Sequence, residues 1–204
     1  MKNYLWQINK KKLNKTNLQK YSDFIKKNYK VKAKNDFDKI WRWSVENKSA
    51  FWKSIWEFTK VKGNLGNVII KESDIFHKNK FFPDTKLNYA QNLLVKNNNE
   101  MAIIFKSENG YKNNLSWKNL NLNVNKISGW MRENGVKKAD RVAAYLPNIP
   151  ETVIAYISTA ALGAIWSSCS PDFGTNGVID RFSQISPKIL FIGDKYFYNG
   201  KKIN

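Results

Sequence analysis

The stretch Ser170-Pro171-Asp172-Phe173-Gly174-Thr175-Asn176-Gly177 holds the residue types that bind phosphate through the main chain. Glycines let a backbone come close to a ligand, and the amides that open a following helix can hold an anionic group. Further on, Tyr196-Phe197-Tyr198-Asn199-Gly200-Lys201-Lys202 sets aromatic faces beside cations, a combination that suits an adenine nucleotide bearing phosphates. The same residues also fit a solvated turn that carries this chain's usual lysine, and spacing alone leaves both readings open. Acid–base and metal chemistry find no set of residues. His77 is the only histidine and reads as an exposed loop residue, and Cys169 is the only cysteine and reads as a small buried apolar side chain. The acidic residues are scattered, and neither a Gly-x-Gly-x-x-Gly nor a Walker loop is present.

The elements that must position these loops fall into two regions, 1–95 and 96–204. The first reads as helical and aromatic. Leu18, Tyr21 and Phe24 or Ile25 recur at helical spacing; Phe37, Ile40, Trp41, Ser44 and Val45 follow, opened by Asn35 or Asp36 as cap. A third helix starts at Ser49 and carries Phe51, Trp52, Ile55 and Trp56, and a short one follows Asn88. The periodicity predicts that Trp41, Trp52 and Trp56 face a core. The second region reads as βαβαβαβ, an α/β pattern with a mainly parallel sheet. Strands are expected at Met101–Phe105, Arg141–Leu146, Ala164–Ser168 and Lys188–Ile192, with a helix capped by Ser116, one opened by Pro150 and one over Gly177–Ile185. In such a sheet, ligands bind beyond the carboxyl ends of the strands, where both candidate loops lie.

Composition narrows the function classes. The chain has 204 residues, 42% of them hydrophobic and 14% aromatic, enough for a packed core. No apolar run is long enough to span a membrane, and Met1–Lys10 lacks the core and cleavage site of a signal peptide. The lone cysteine fits a reducing cytoplasm. The net charge of +19 raises the possibility of a nucleic-acid partner. Only Arg42, Arg132, Arg141 and Arg181 among the 35 basic residues are arginine, however, whereas nucleic-acid readers lean on its planar fork. Lysine and asparagine dominate together, as the codons of an AT-rich genome supply them.

Several segments resemble the acetoacetyl-CoA synthetases, acetoacetate–CoA ligases of the acyl-adenylate-forming superfamily. Trp43-Ser44-Val45-Glu46, Phe51-Trp52 and Ile55-Trp56-Glu57-Phe58 are similar to the family's aromatic N-terminal helices. Leu87-Asn88-Tyr89-Ala90-Gln91-Asn92-Leu93-Leu94 is similar to its Leu-Asn-Tyr-Ala-Glu-Asn-Leu-Leu, with Gln91 for glutamate. Gly135-Val136-Lys137-Lys138-Ala139-Asp140-Arg141-Val142 resembles a segment in which glycine stands at the place of Ala139. Tyr145-Leu146-Pro147-Asn148, Ser170-Pro171-Asp172-Phe173-Gly174 and Asp180-Arg181-Phe182-Ser183-Gln184-Ile185 match as they stand. The last two set the chain apart from acetyl- and propionyl-CoA synthetases, which show Phe-Gly-Gly-Phe-Ser-Pro around that loop.

The resemblance implies an ATP-dependent ligase using Mg²⁺ and coenzyme A, with acetoacetate as substrate. In the acetyl-type relatives this loop and an Arg-x-Gly-Arg after the next strand contact coenzyme A. By position, the paired glycines fall on Pro171 and Asp172, followed by Phe173 and Gly174, and the two arginines fall on Tyr198 and Lys201. No catalytic residue can be nominated. The family's phosphate loop, acyl pocket, ribose-binding aspartate and distal catalytic lysine would lie after Asn204. The expectation is therefore an N-terminal piece of the ligase, inactive by itself, whose partner is the remainder of the same chain. The strand at Lys188–Ile192 is expected to lack its sheet neighbours, and the isolated chain to fold poorly. The alternatives are a piece of an acetyl- or propionyl-CoA synthetase, and a basic nucleotide- or nucleic-acid-binding module.

Overall fold

Tyr21 and Ile25, one helical turn apart, are the centre of the first unit of the chain. The computed structural model describes residues 5, 8–34 and 36–203, and residues 1–87 and 88–204 form separate compact units. The first unit begins with α1 (Lys10–Leu13) and α2 (Asn17–Tyr29), the latter capped by Thr16, whose hydroxyl accepts from the Gln19 amide at 3.2 Å. Asp36 caps α3 (Phe37–Glu46) by accepting from the Lys39 amide at 3.1 Å; Asn35, the other candidate cap, lies outside the described residues. α4 (Lys48–Thr59) completes the helices. Tyr21, Ile25, Ala33 and Ile40 form the core, with Trp43, Phe51 and Phe58 packed around them. The Ser54 hydroxyl donates to the Phe51 carbonyl at 2.7 Å, so the buried Tyr21 hydroxyl donates to Ser54 at 2.6 Å.

The outward stripe of α3 corrects the expectation for its tryptophan. Phe37, Trp41 and Val45 are 63%, 57% and 50% exposed, while Ile40 and Trp43 face the core. A ten-residue helix that is apolar on two sides does not declare from sequence which side is buried. Trp52 is exposed as well, with its ring centroid 5.4 Å from that of Phe81, while Trp56 is half-buried 5.7 Å from Phe82. Two short antiparallel pairs close the unit: β1 (Gly63–Asn64) with β4 (Lys86–Leu87), and β2 (Ile70–Lys71) with β3 (Lys80–Phe81).

In the second unit, α5 (Tyr89–Leu93) is followed by β5 (Met101–Lys106) and β6 (Lys112–Ser116). These two strands form an antiparallel hairpin, so Met101–Phe105 is not the first strand of the parallel sheet. The polar sequence Lys-Asn-Asn-Leu-Ser of β6 hid the partner. α6 (Trp117–Glu133) is capped by Ser116, and β7 (Arg141–Tyr145), α7 (Pro150–Ala161), β8 (Ile165–Cys169), α8 (Thr175–Ser183) and β9 (Ile189–Ile192) follow in the expected alternation. The parallel sheet has the order β8-β7-β9. β9 is thus paired along its length with β7, contrary to the expectation that Lys188–Ile192 would stand without sheet neighbours. β10 (Tyr196–Tyr198) and β11 (Lys201–Ile203) form a final hairpin.

Helices cover both faces of the sheet. Val142 packs with Met131, Trp166, Ile189 and Phe191 on the α6 side, and Ala143 packs with Cys169, Phe182 and Val178 on the α8 side. Arg141, at the start of β7, ties down the turn before β9: its Nε donates to the Ile185 carbonyl at 2.7 Å and an Nη to Ser186 at 3.3 Å.

The turn into β7 places Ala139 at φ +70°, the left-handed region where a Cβ crowds the following carbonyl. Ala139→Gly should therefore stabilise the unit by about 0.5–1 kcal/mol, the relief being partly offset by the greater freedom of glycine in the unfolded chain. Chemical denaturation of the two proteins checks this.

Next to it, Asp140 accepts from the Lys137 amide at 2.7 Å and lies 3.3 Å from the Lys188 amine. The Lys137 amide first, then Lys188 and Arg141, hold its carboxyl below the ordinary value. A depressed carboxyl contributes stability that is complete above its unfolded pKa of about 4 and disappears as pH falls through the folded value. Stability should fall on acidification below about pH 4, and Asp140→Asn should flatten that fall while lowering stability at neutral pH. Melting temperature against pH decides the matter.

Candidate functional site

The three parallel strands end on one edge, and each is followed there by a loop: Leu146–Asn148 after β7, Ser170–Gly174 after β8, and Gly193–Lys195 after β9. Between these loops and β10 lie two adjoining hollows of about 330 and 270 Å³ that share Pro147, Pro171, Asp172 and Tyr196. The first is also lined by Asn148, Thr152, Cys169 and Tyr198, and the second by Phe173, Gly174, Thr175 and Lys195.

The β8–α8 loop is held from two sides. The Tyr145 hydroxyl lies 2.8 Å from the Pro171 carbonyl oxygen and 2.7 Å from that of Phe173. The Arg181 guanidinium sits 4.3 Å from the centre of the Phe173 ring, within cation–π range. Inside the loop, Ser170 donates to Asp172 Oδ2 at 3.0 Å, and the Phe173 amide donates to the Ser170 carbonyl at 3.1 Å. Gly174 caps α8 at φ −62°, and a Cβ built there meets nothing within 4 Å. Neither its backbone angle nor its neighbours require glycine, which leaves open space beside the first amides of α8. The aromatic wall comes from the last hairpin. Asn199 and Gly200, at φ 50° and 71°, make a tight turn that sets Tyr198 opposite Lys201. Tyr196, Tyr198, Lys201 and Ile203 share one face of this ribbon, and Phe197 and Lys202 share the other. The Gly200 amide donates to Glu108 at 3.2 Å, which ties the turn to the β5–β6 hairpin.

The fold thus gathers Pro171, Asp172, Phe173, Gly174 and Tyr198 around the hollows. Lys201 is on the Tyr198 face of the hairpin but lines neither hollow; among the described residues its amine is in no ion pair. Sequence reasoning included Tyr196 in its aromatic segment but missed Tyr145 as part of the site. Both end in the cleft because they fall at strand ends, where alternation decides the direction of a side chain. Cys169 is buried and His77 exposed, as expected. Among the described residues no three or more His, Cys, Asp or Glu groups are placed to hold a metal ion. None of the described helices is long and apolar enough to cross a membrane.

A parallel sheet with hollows at the carboxyl ends of its strands, rimmed by aromatic side chains and helix-opening amides, is the arrangement of nucleotide-binding α/β proteins. The chain belongs to the AMP-binding enzymes, whose family model matches residues 92–203. It is 44% identical to the acetoacetyl-coenzyme A synthetase of Rhizobium meliloti over 167 residues, 82% of this chain and 26% of that protein. It is 35% identical to the acetoacetyl-CoA synthetase of Xenopus tropicalis over 97% of this chain and 30% of that one. The solved acetoacetyl-CoA synthetase of Streptomyces lividans superposes with a TM-score of 0.91 at 31% identity, over 99% of this chain and 32% of that one. The chain therefore spans about a quarter to a third of the length of these relatives.

Tyr196 gives the site a measurable signature. Loss of water contact, then the charges of Asp172, Tyr145 and Tyr198, push its hydroxyl above the ordinary tyrosine value. An adjacent carboxylate disfavours phenolate, so Asp172→Asn should bring the Tyr196 ionisation down while leaving it above the ordinary value. An NMR titration of ring-labelled tyrosine follows this directly.

Proposed function

We propose that this chain is the N-terminal part of an ATP-dependent acetoacetate–CoA ligase. The reaction joins acetoacetate and ATP into acetoacetyl-AMP with release of pyrophosphate, and the thiol of coenzyme A then displaces AMP. The observation that carries this reading is the match to acetoacetyl-CoA synthetases along 97% of the chain. The specific segments Ser170–Gly174, the β8–α8 loop, and Asp180–Ile185, the end of α8 and the turn after it, support acetoacetate over acetate or propionate. The setting is the cytoplasm, in keeping with a single buried cysteine.

In this reading the hollows receive the nucleotide end of coenzyme A. Tyr198 offers a stacking face to adenine, Lys201 a charge to phosphate, and Pro171, Asp172, Phe173 and Gly174 a wall of the hollows. Pro171 and Asp172 stand where acetyl-type relatives have paired glycines, so the ligand meets side chains there as well as backbone. Magnesium belongs to the ATP step. The described residues include no metal-holding cluster, so no step through the ion is assigned to this chain. The groups that activate the carboxylate belong to the part of the ligase that these residues do not span.

Calorimetry on residues 1–204 tests the contact. Coenzyme A should bind more tightly than its 3′-dephospho form. Lys201→Glu should weaken coenzyme A about tenfold or more, as for a charged hydrogen bond, and Tyr198→Ala about fivefold. Pyrophosphate serves as control, since a net charge of +19 attracts any polyanion. Indifference of coenzyme A to both substitutions would remove the assignment. The same preparation should release no pyrophosphate from ATP on adding acetoacetate.

A further inference from the structure

We propose that Tyr145 is the positioning residue of the cleft, its hydroxyl fixing the Ser170–Gly174 loop against the end of β7. Its Oη lies within hydrogen-bond distance of two carbonyl oxygens of that loop, 2.8 Å from Pro171 and 2.7 Å from Phe173. A phenol carries one hydrogen, so one donor serves two acceptors, and two carbonyls two residues apart are drawn to a single point. That point is set by the sheet and not by the loop. Tyr145 ends the central strand, paired with Cys169 on one side and Ile192 on the other, and the Ala143 that precedes it on the same face is wholly buried. The loop's own bonds, from Ser170 to Asp172 and from the Phe173 amide to Ser170, close its turn but do not tie it to the sheet. Pro171 has no amide to give, Gly174 is unconstrained, and the contact between Arg181 and Phe173 grips a side chain while leaving the carbonyls free to turn. Without the hydroxyl, the segment that places Asp172 in the hollows with Tyr196 loses its fixed reference.

The test uses three versions of the 1–204 protein, with tyrosine, phenylalanine or para-aminophenylalanine at position 145. The ring is the same in all three. The number of hydrogens it can donate is one, none and two, an amine satisfying both carbonyls. The readout is hydrogen exchange at the amides of Asp172 and Phe173, which bond to Ser170 within the loop. Tyr145→Phe should speed it about fivefold, the size expected for one neutral hydrogen bond, with exchange in the core of β7 unchanged. Para-aminophenylalanine should return it to the tyrosine rate or slow it further. A residue that only fills space would give one rate for all three, which overturns the assignment; so does failure of the amine to restore protection. Should Tyr145→Phe fail to fold, the amine against tyrosine decides alone, since faster exchange with two donors than with one contradicts the proposal.

Coenzyme A affinity is the second readout, and it alone rests on the proposed ligand. Affinity should fall with Tyr145→Phe and recover with the amine. Equal affinity in all three despite altered exchange overturns a positioning role. No binding even with tyrosine removes the proposed coenzyme A contact, and the exchange rates then decide the role of Tyr145.

Discussion

The central strand β7 is the constraint on which the second unit depends. It hydrogen-bonds to a parallel neighbour on each edge, and Val142, Ala143 and Ala144 have no accessible surface. Two successive alanines keep both faces of the strand shallow, so helices approach closely from either side. Large side chains come from the neighbours instead: Met131 and Trp166 on one face, Phe182 on the other. The two ends of this strand then act as fixed points. Arg141 holds the turn before β9, and Tyr145 holds the loop after β8. The cleft is therefore an extension of the sheet's hydrogen-bond ladder rather than a property of its own loops.

Electrostatics contribute differently. The described ion pairs all involve exposed lysines and should stabilise the fold little, because water and salt screen them. The carboxylates that matter structurally bond to backbone amides, as Asp36 does at the start of α3 and Asp84 does with the amides of Asn67 and Val68 at 2.8 and 3.3 Å. Both are held below the ordinary carboxylate range, first by those amides. Four lysines, Lys48, Lys71, Lys78 and Lys80, line one hollow of the first unit beside Glu72 and Asp74, whereas the cleft contains few of these cations.

Much of the architecture was legible. The alternation after residue 116 gave the three parallel strands and their helices to within two residues, because buried strands and amphipathic helices carry distinct periodicities. The Ser116 cap and the proline at the start of α7 stand where their chemistry requires. What failed was pairing. Met101–Lys106 reads as a strand in any context, but its partner is the polar Lys112–Ser116, and hydrogen bonds between main chains leave little trace in side-chain types. Trp41 failed for a similar reason, since periodicity shows that a helix has an apolar side without saying which of two such sides is covered.

By itself, the sequence determined the class: the α/β order, the loop rich in small residues at the end of a strand, and the likeness to acetoacetate–CoA ligases. It also named Pro171, Asp172, Phe173, Gly174 and Tyr198 as neighbours in function. Only the tertiary structure decided that Tyr145 belongs with them, and that Lys201 lines neither hollow. The physical reason is that a strand-end side chain points to one face or the other by a single residue of register. That register is fixed by ladders to segments distant in sequence, here from β7 to β8 and β9.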